Sequence, residues 1–145
     1  MPPSKIYYSS STEETYAVAY KLLRHLGDQA IISLEGPLGA GKTHFVKGFA
    51  IALGLDDEVT SPTFTLLQSY GQEDHPLHHF DFYRVNTEAE AMDLGLQDFF
   101  LEGFCIIEWG DKFLNLLPSE TWRVRIKPVS EHKREISCWQ VTTNN

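Results

Sequence analysis

Cysteine is scarce: 145 residues hold two, Cys105 and Cys138. They form no Cys-x-x-Cys pair and sit singly in apparent strands. That excludes a disulfide framework and the usual cysteine zinc site, and reads as two buried free thiols of a reducing compartment. Long apolar runs are also missing. None approaches the ~20 residues that span a bilayer, and Met1-Pro2-Pro3-Ser4-Lys5 lacks the apolar core of a secretory signal. The expected location is cytoplasmic, with no membrane partner. Cations are in deficit, twelve Lys and Arg against twenty Asp and Glu, for a net charge of −8. The balance favours solubility and argues against strong independent binding to nucleic acid, while leaving room for a nucleic acid handled through a partner. No repeat and no low-complexity linker interrupts the chain, so residues 1–145 read as one domain.

What the chain does have is a complete phosphate-binding loop, Gly36-Pro37-Leu38-Gly39-Ala40-Gly41-Lys42-Thr43. An apolar run, Ala30 to Leu34, precedes it as a buried strand. Phe45, Val46, Phe49, Ala50 and Leu53 follow at helical spacing. The order strand, glycine loop, Lys-Thr, helix gives the pattern its mechanism. Gly36, Gly39 and Gly41 allow backbone conformations closed to residues with a Cβ. The freed N–H groups, with those of the helix start, then point inward around a phosphate chain. In this reading Leu38, Gly39, Ala40, Gly41 and Lys42 bind the phosphates of a nucleoside triphosphate, and the Thr43 hydroxyl ligates Mg²⁺.

The remaining elements are read around that loop. Ile6 to Tyr8 forms a short strand. Ser10 with Glu13, or Ser11 with Glu14, makes a capping box for a helix with Tyr16, Ala19, Tyr20, Leu23 and Leu26 on one face. That helix stops at Gly27. The helix after the phosphate loop ends near Gly54, and Asp56 to Thr65 is a polar loop. Leu66–Tyr70 and Leu77–Phe82 form a hairpin across Gly71–Pro76. Thr87–Leu94 is an acidic helix stopped by Gly95. Phe104 to Ile107 is a strand buried on both faces. Alternation at Trp122, Val124 and Ile126, and again at Ile136 and Cys138, predicts a second hairpin. The expected architecture is α/β: a three-layer phosphate-loop fold with a mixed central sheet and antiparallel hairpin additions.

A phosphate loop needs an acidic partner on a neighbouring strand. Glu108 closes the apolar Phe104–Ile107 run, and Asp81 lies in His79-Phe80-Asp81-Phe82-Tyr83-Arg84. With two acids, one sits near the metal and the other orients or deprotonates the attacking water. We assign Glu108 to the metal and Asp81 to the water. Lys42, Asp81 and Glu108 are the catalytic candidates, and Thr43 and Glu108 the metal ligands. Thr60-Ser61-Pro62-Thr63-Phe64 is either a switch that senses the γ-phosphate or an ordinary turn. His75, His78 and His79 make a poor zinc cluster, because His75 is in a turn and His78 and His79 point to opposite faces of a strand. His79 is expected to support Asp81 or Tyr83. Arg123, Arg125 and Lys127 read as a solvated strand face, with a nucleic-acid patch as the lesser alternative.

Four segments in this order, the phosphate loop, Ser61-Pro62-Thr63-Phe64, His79 to Arg84 and Ile107-Glu108-Trp109, resemble the TsaE (YjeE) family. The resemblance runs from about Ser10 to Pro128. The phosphate loop alone belongs to a vast superfamily, whereas the other three segments in combination are far more specific. The resemblance implies a slow ATPase using ATP and Mg²⁺. It implies two partners, a threonylcarbamoyl transferase subunit of the TsaD type and its inactive paralogue of the TsaB type, with tRNA met only through the complex. It further implies that Asp81 is needed for hydrolysis, that Trp109 lies beside the nucleotide, and that Ser10 to Thr12, with Ser11 at the centre, and Asp111-Lys112 are adenine-side contacts. Phe64 stands where the family also uses Tyr. Two other activities remain compatible with the loop: a small-molecule kinase, and a non-catalytic nucleotide-dependent interaction module.

Overall fold

A computed structural model describes residues 4–55, 59, 65–71, 76–101 and 103–140. Its frame is a seven-stranded mixed sheet: β1 (Ser4–Ser9), β2 (Ala30–Glu35), β3 (Leu67–Tyr70), β4 (Leu77–Asp81), β5 (Phe104–Glu108), β6 (Trp122–Ser130) and β7 (Lys133–Gln140). The spatial order is β1-β7-β6-β2-β5-β4-β3. The central pairs β6·β2, β2·β5 and β5·β4 are parallel, and the pairs β3·β4, β6·β7 and β7·β1 are antiparallel. Parallel strands are covered on both faces, and β4 and β5 are buried along their whole length.

Two apolar clusters lie on the two sides of the sheet. On one side α1 (Thr12–Leu23) and α2 (Lys42–Ala52) press Leu22, Phe45 and Phe49 onto Ile32, Leu34, Ile106 and Val124. On the other, α3 (Glu88–Met92), α4 (Leu96–Phe99) and a 3₁₀ segment (Gly110–Leu116) cover Ile31, Phe80, Cys105 and Ile107. These are the expected three layers. Alternation along β5 separates the clusters, since Phe104, Ile106 and Glu108 face α2 while Cys105 and Ile107 face away.

Several local expectations change. The inner face of α1 is Thr15, Val18, Ala19 and Leu22, while Tyr20 is 50% exposed. Tyr16 is half-buried because it meets α2 at Gly48, where an added Cβ would lie 2.8 Å from Tyr16 Cα. Of the two capping alternatives, Ser11 is the N-cap and makes half the expected box: its Oγ accepts from the Glu14 N–H, while the Glu14 carboxylate reaches past it to the Ser10 N–H. Helix α3 carries a full capping box between Thr87 and Glu90. Neither α4 nor the 3₁₀ segment is anticipated from sequence. The 60–64 segment and His75 lie outside the described residues. No described helix is long and apolar enough to cross a membrane.

Candidate functional site

The phosphate loop leaves β2 at the C-terminal edge of the parallel strands, and its glycines are conformational necessities at two points. Gly36 has φ 145°, and an added Cβ would lie 2.4 Å from the Ile126 carbonyl oxygen. Gly41 has φ 102° at the N-cap of α2. Both torsions lie in the region that Cβ-bearing residues avoid.

Above the loop opens a cavity of about 370 Å³, lined by Leu38, Gly39, Gly41, Lys42, Thr43, Asp81, Glu108 and Trp109 among others. Eight of the predicted residues therefore meet in one place. Asp81 and Glu108 meet because β4 and β5 pair in parallel with these two residues in direct register. Both carboxylates are buried, at 3% and 4% exposure. Ala40 is buried behind the loop, and Ser11 is spent on capping α1; neither lines the cavity.

Lys42 is 5% exposed, and its ammonium donates to the Gly36 carbonyl at 2.6 Å and the Pro37 carbonyl at 2.9 Å. Its Nζ also lies 4.5 Å from the centre of the Trp109 ring. Burial pushes the Lys42 pKa down, opposed by the charges of Glu108, Asp81 and Asp111. An anion entering the cavity therefore meets a poorly hydrated cation, held by weak acceptors it can displace.

Trp109 occupies the left-handed region at φ 61°, a conformation that costs about 1–3 kcal/mol where the surroundings enforce it. Its backbone N–H donates to the Leu34 carbonyl at 2.9 Å, and its ring packs against Tyr83. The turn sends the chain into the 3₁₀ segment, where Lys112 donates to the carbonyls of Phe82, Tyr83 and Val85. Lys112 thus fastens the loop that follows Asp81.

Two groups escape the sequence reading. His79 does not support Asp81 or Tyr83. Its Nε2 donates to Glu108 Oε2 at 2.6 Å, both side chains being buried. Asp81 instead accepts from the Tyr83 N–H at 2.9 Å. The signal for His79 is that it shares with Asp81 the strand face that meets Glu108. The second is Arg134 of β7, which lines the cavity and donates through Nε to the Ala40 carbonyl at 2.6 Å. No motif marks it; only the antiparallel return of β7 brings it over the loop.

The expected solvated strand face holds for Arg125 and Lys127, which are exposed, and is corrected for Arg123. Glu35, 2% exposed, accepts a bidentate pair from Arg123 at 2.6 and 3.0 Å and a third bond from Arg125 at 3.2 Å. Its carboxylate draws the Arg123 guanidinium in from solvent, while the Arg125 side chain stays half-exposed.

Comparison with known proteins agrees with this geometry. The family model described as threonylcarbamoyl adenosine biosynthesis protein TsaE matches residues 9–136. A Bacillus subtilis tRNA threonylcarbamoyladenosine biosynthesis protein TsaE is 42% identical over 86% of this chain and 78% of its own length. The Treponema pallidum protein of the same name is 38% identical over 89% and 96%. The crystal structure of Bacillus subtilis YdiB superposes with a TM-score of 0.82 at 34% identity, covering 97% of this chain and 88% of that one. The phosphate loop, the paired strand-end carboxylates and these similarities converge: the chain belongs to the TsaE family of threonylcarbamoyl adenosine biosynthesis proteins.

Proposed function

We propose that the protein is a Mg²⁺-dependent cytoplasmic ATPase that supports the formation of threonylcarbamoyladenosine beside the anticodon of tRNAs reading codons that begin with A. It works with a threonylcarbamoyl transferase subunit of the TsaD type and its inactive TsaB-type paralogue, and meets tRNA through them. The observation that carries the reading is the convergence of Lys42, Thr43, Asp81 and Glu108 on one cavity above the glycine loop.

The donor set fits the metal. A threonine hydroxyl and two buried carboxylates are hard oxygen ligands suited to Mg²⁺. Thr43 and Glu108 would hold the ion, with His79 orienting the Glu108 carboxylate. Bound there, Mg²⁺ would neutralise charge on the terminal phosphates. The loop amides and Lys42 bind the phosphate chain. Asp81, fixed by the Tyr83 N–H, orients the attacking water and accepts its proton.

The test is ATP turnover and tRNA modification by Lys42→Ala and Asp81→Ala proteins. Lys42→Ala is expected to lower kcat/KM by on the order of 100-fold, the usual cost of one phosphate-stabilising group. Normal turnover in that variant would refute the site. If Asp81→Ala preserves tRNA modification while Lys42→Ala abolishes it, the protein is a nucleotide-dependent interaction module and hydrolysis is dispensable.

A further inference from the structure

Among the described residues, one end of the sheet is left uncovered on one side. The apolar cluster beneath α3, α4 and the 3₁₀ segment takes no residue from β1, β6 or β7. On that side Ile6 and Tyr8 of β1 are 54% and 55% exposed. The register aligns three rows across the strands: Trp139 beside Arg123, Ile6 and Ser137 beside Arg125, and Tyr8 and Glu135 beside Lys127. Both guanidiniums lie against the Trp139 ring, 5.0 and 5.3 Å from its centre, and Lys133 lies 4.8 Å from the centre of the Tyr8 ring.

Charge is segregated here. Four cations, Arg123, Arg125, Lys127 and Lys133, stand against two carboxylates, Glu35 and Glu135, in a chain whose net charge is −8. The arginines are also pre-organised, because Glu35 and Trp139 hold them before any partner arrives. Trp, Tyr and Arg are the side chains that dominate binding energy at protein interfaces, and ordering them in advance lowers the entropic cost of association. Two guanidiniums already within 5.3 Å of the ring centre compete with a nucleobase for the Trp139 face. The pattern therefore fits a protein surface better than a stacked RNA strand.

We propose that this face of β6, β7 and β1 docks a protein surface that presents carboxylates around an apolar centre. Resting on the function proposed above, the carrier of that surface is the transferase complex. Glu35 directly precedes Gly36, whose carbonyl holds Lys42. A partner carboxylate that competes for Arg123 and Arg125 therefore acts one residue from the phosphate loop.

The experiment measures binding of the full chain to the reconstituted TsaD-type and TsaB-type pair by calorimetry at two salt concentrations. Tyr8→Ala and Lys127→Glu are the variants of choice, being exposed and outside the Glu35 cluster. Combined, they are expected to weaken binding at least about tenfold and flatten its salt dependence, while ATP affinity of the isolated protein stays within about twofold. Unchanged partner binding in the double variant overturns the docking face and leaves the ATPase reading intact. Failure of the unaltered protein to bind the pair under any nucleotide condition sinks the partner reading, and the docking face with it. Loss of tRNA retention with unchanged binding to the pair overturns the protein-docking proposal in favour of RNA.

Discussion

His79→Phe removes an N–H that Glu108 accepts at 2.6 Å between two buried side chains. Phenylalanine fills the volume, so the cavity term is small and the loss is that of the bond. A hydrogen bond to a charged group contributes about 1.5–3 kcal/mol, and Glu108 would keep its carboxylate under nearly complete burial with that donor gone. We expect the urea midpoint to fall by an equivalent of about 2 kcal/mol. The functional consequence is sharper, because a group that orients a metal ligand typically governs metal affinity by 10–100-fold. Titrating ATP turnover with Mg²⁺ should therefore show a midpoint raised about tenfold or more. His79→Gln, which restores an N–H at similar reach, should recover much of the shift. A purely structural histidine would lower stability in both variants and leave the metal midpoint where it was. That outcome would refute the placement of Glu108 at the metal.

Arg123→Ala is expected to destabilise by about 2–3 kcal/mol, because it strips a bidentate partner from a carboxylate that is 2% exposed. Glu35→Ala should cost less, since the freed Arg125 guanidinium already reaches water; equal losses in chemical denaturation would show that burial is not the deciding term. Arg134→Ala should weaken ATP binding about tenfold by releasing the Ala40 carbonyl and loosening the loop, and calorimetry showing unchanged affinity would remove Arg134 from the site. Burial pushes the Cys138 thiol up from 9.0 to about 12. The native state then holds its proton more tightly than the unfolded state, so stability falls between about pH 9 and 12, by up to about 1.4 kcal/mol per pH unit. Urea titrations should show this slope in the natural chain and lose it in Cys138→Ala.

The parts of the fold carried by local signals were legible in the sequence. Apolar runs located β2 and β5, the glycine loop located α2, and strand-end position singled out Asp81 and Glu108. What failed depended on partners distant in sequence. The inner face of α1 shifted toward Val18 and Leu22, because aromatic rings at Tyr16 and Tyr20 mimic a core stripe while only Tyr16 finds a recess, at Gly48. The 3₁₀ segment carries no helical period, and it forms because Trp109 turns the chain at positive φ. His79 and Arg123 were read as local groups, and Arg134 was not singled out at all. Each takes its role from a ladder neighbour or a facing loop, reached only once β4, β6 and β7 are in register. The two carboxylates were each found singly; their adjacency is a fact of β4–β5 register.

The central claim is that the cavity above the phosphate loop hydrolyses ATP in the service of tRNA modification. The most direct measurement follows phosphate release and modified adenosine together, with Mg²⁺, for the protein alone and then with its two proposed partners and tRNA. Slow turnover that changes on assembly, with modified tRNA accumulating over repeated rounds and both signals lost in Lys42→Ala, is the predicted result. Turnover indifferent to the partners, with tRNA modification unaffected by the protein, would contradict it.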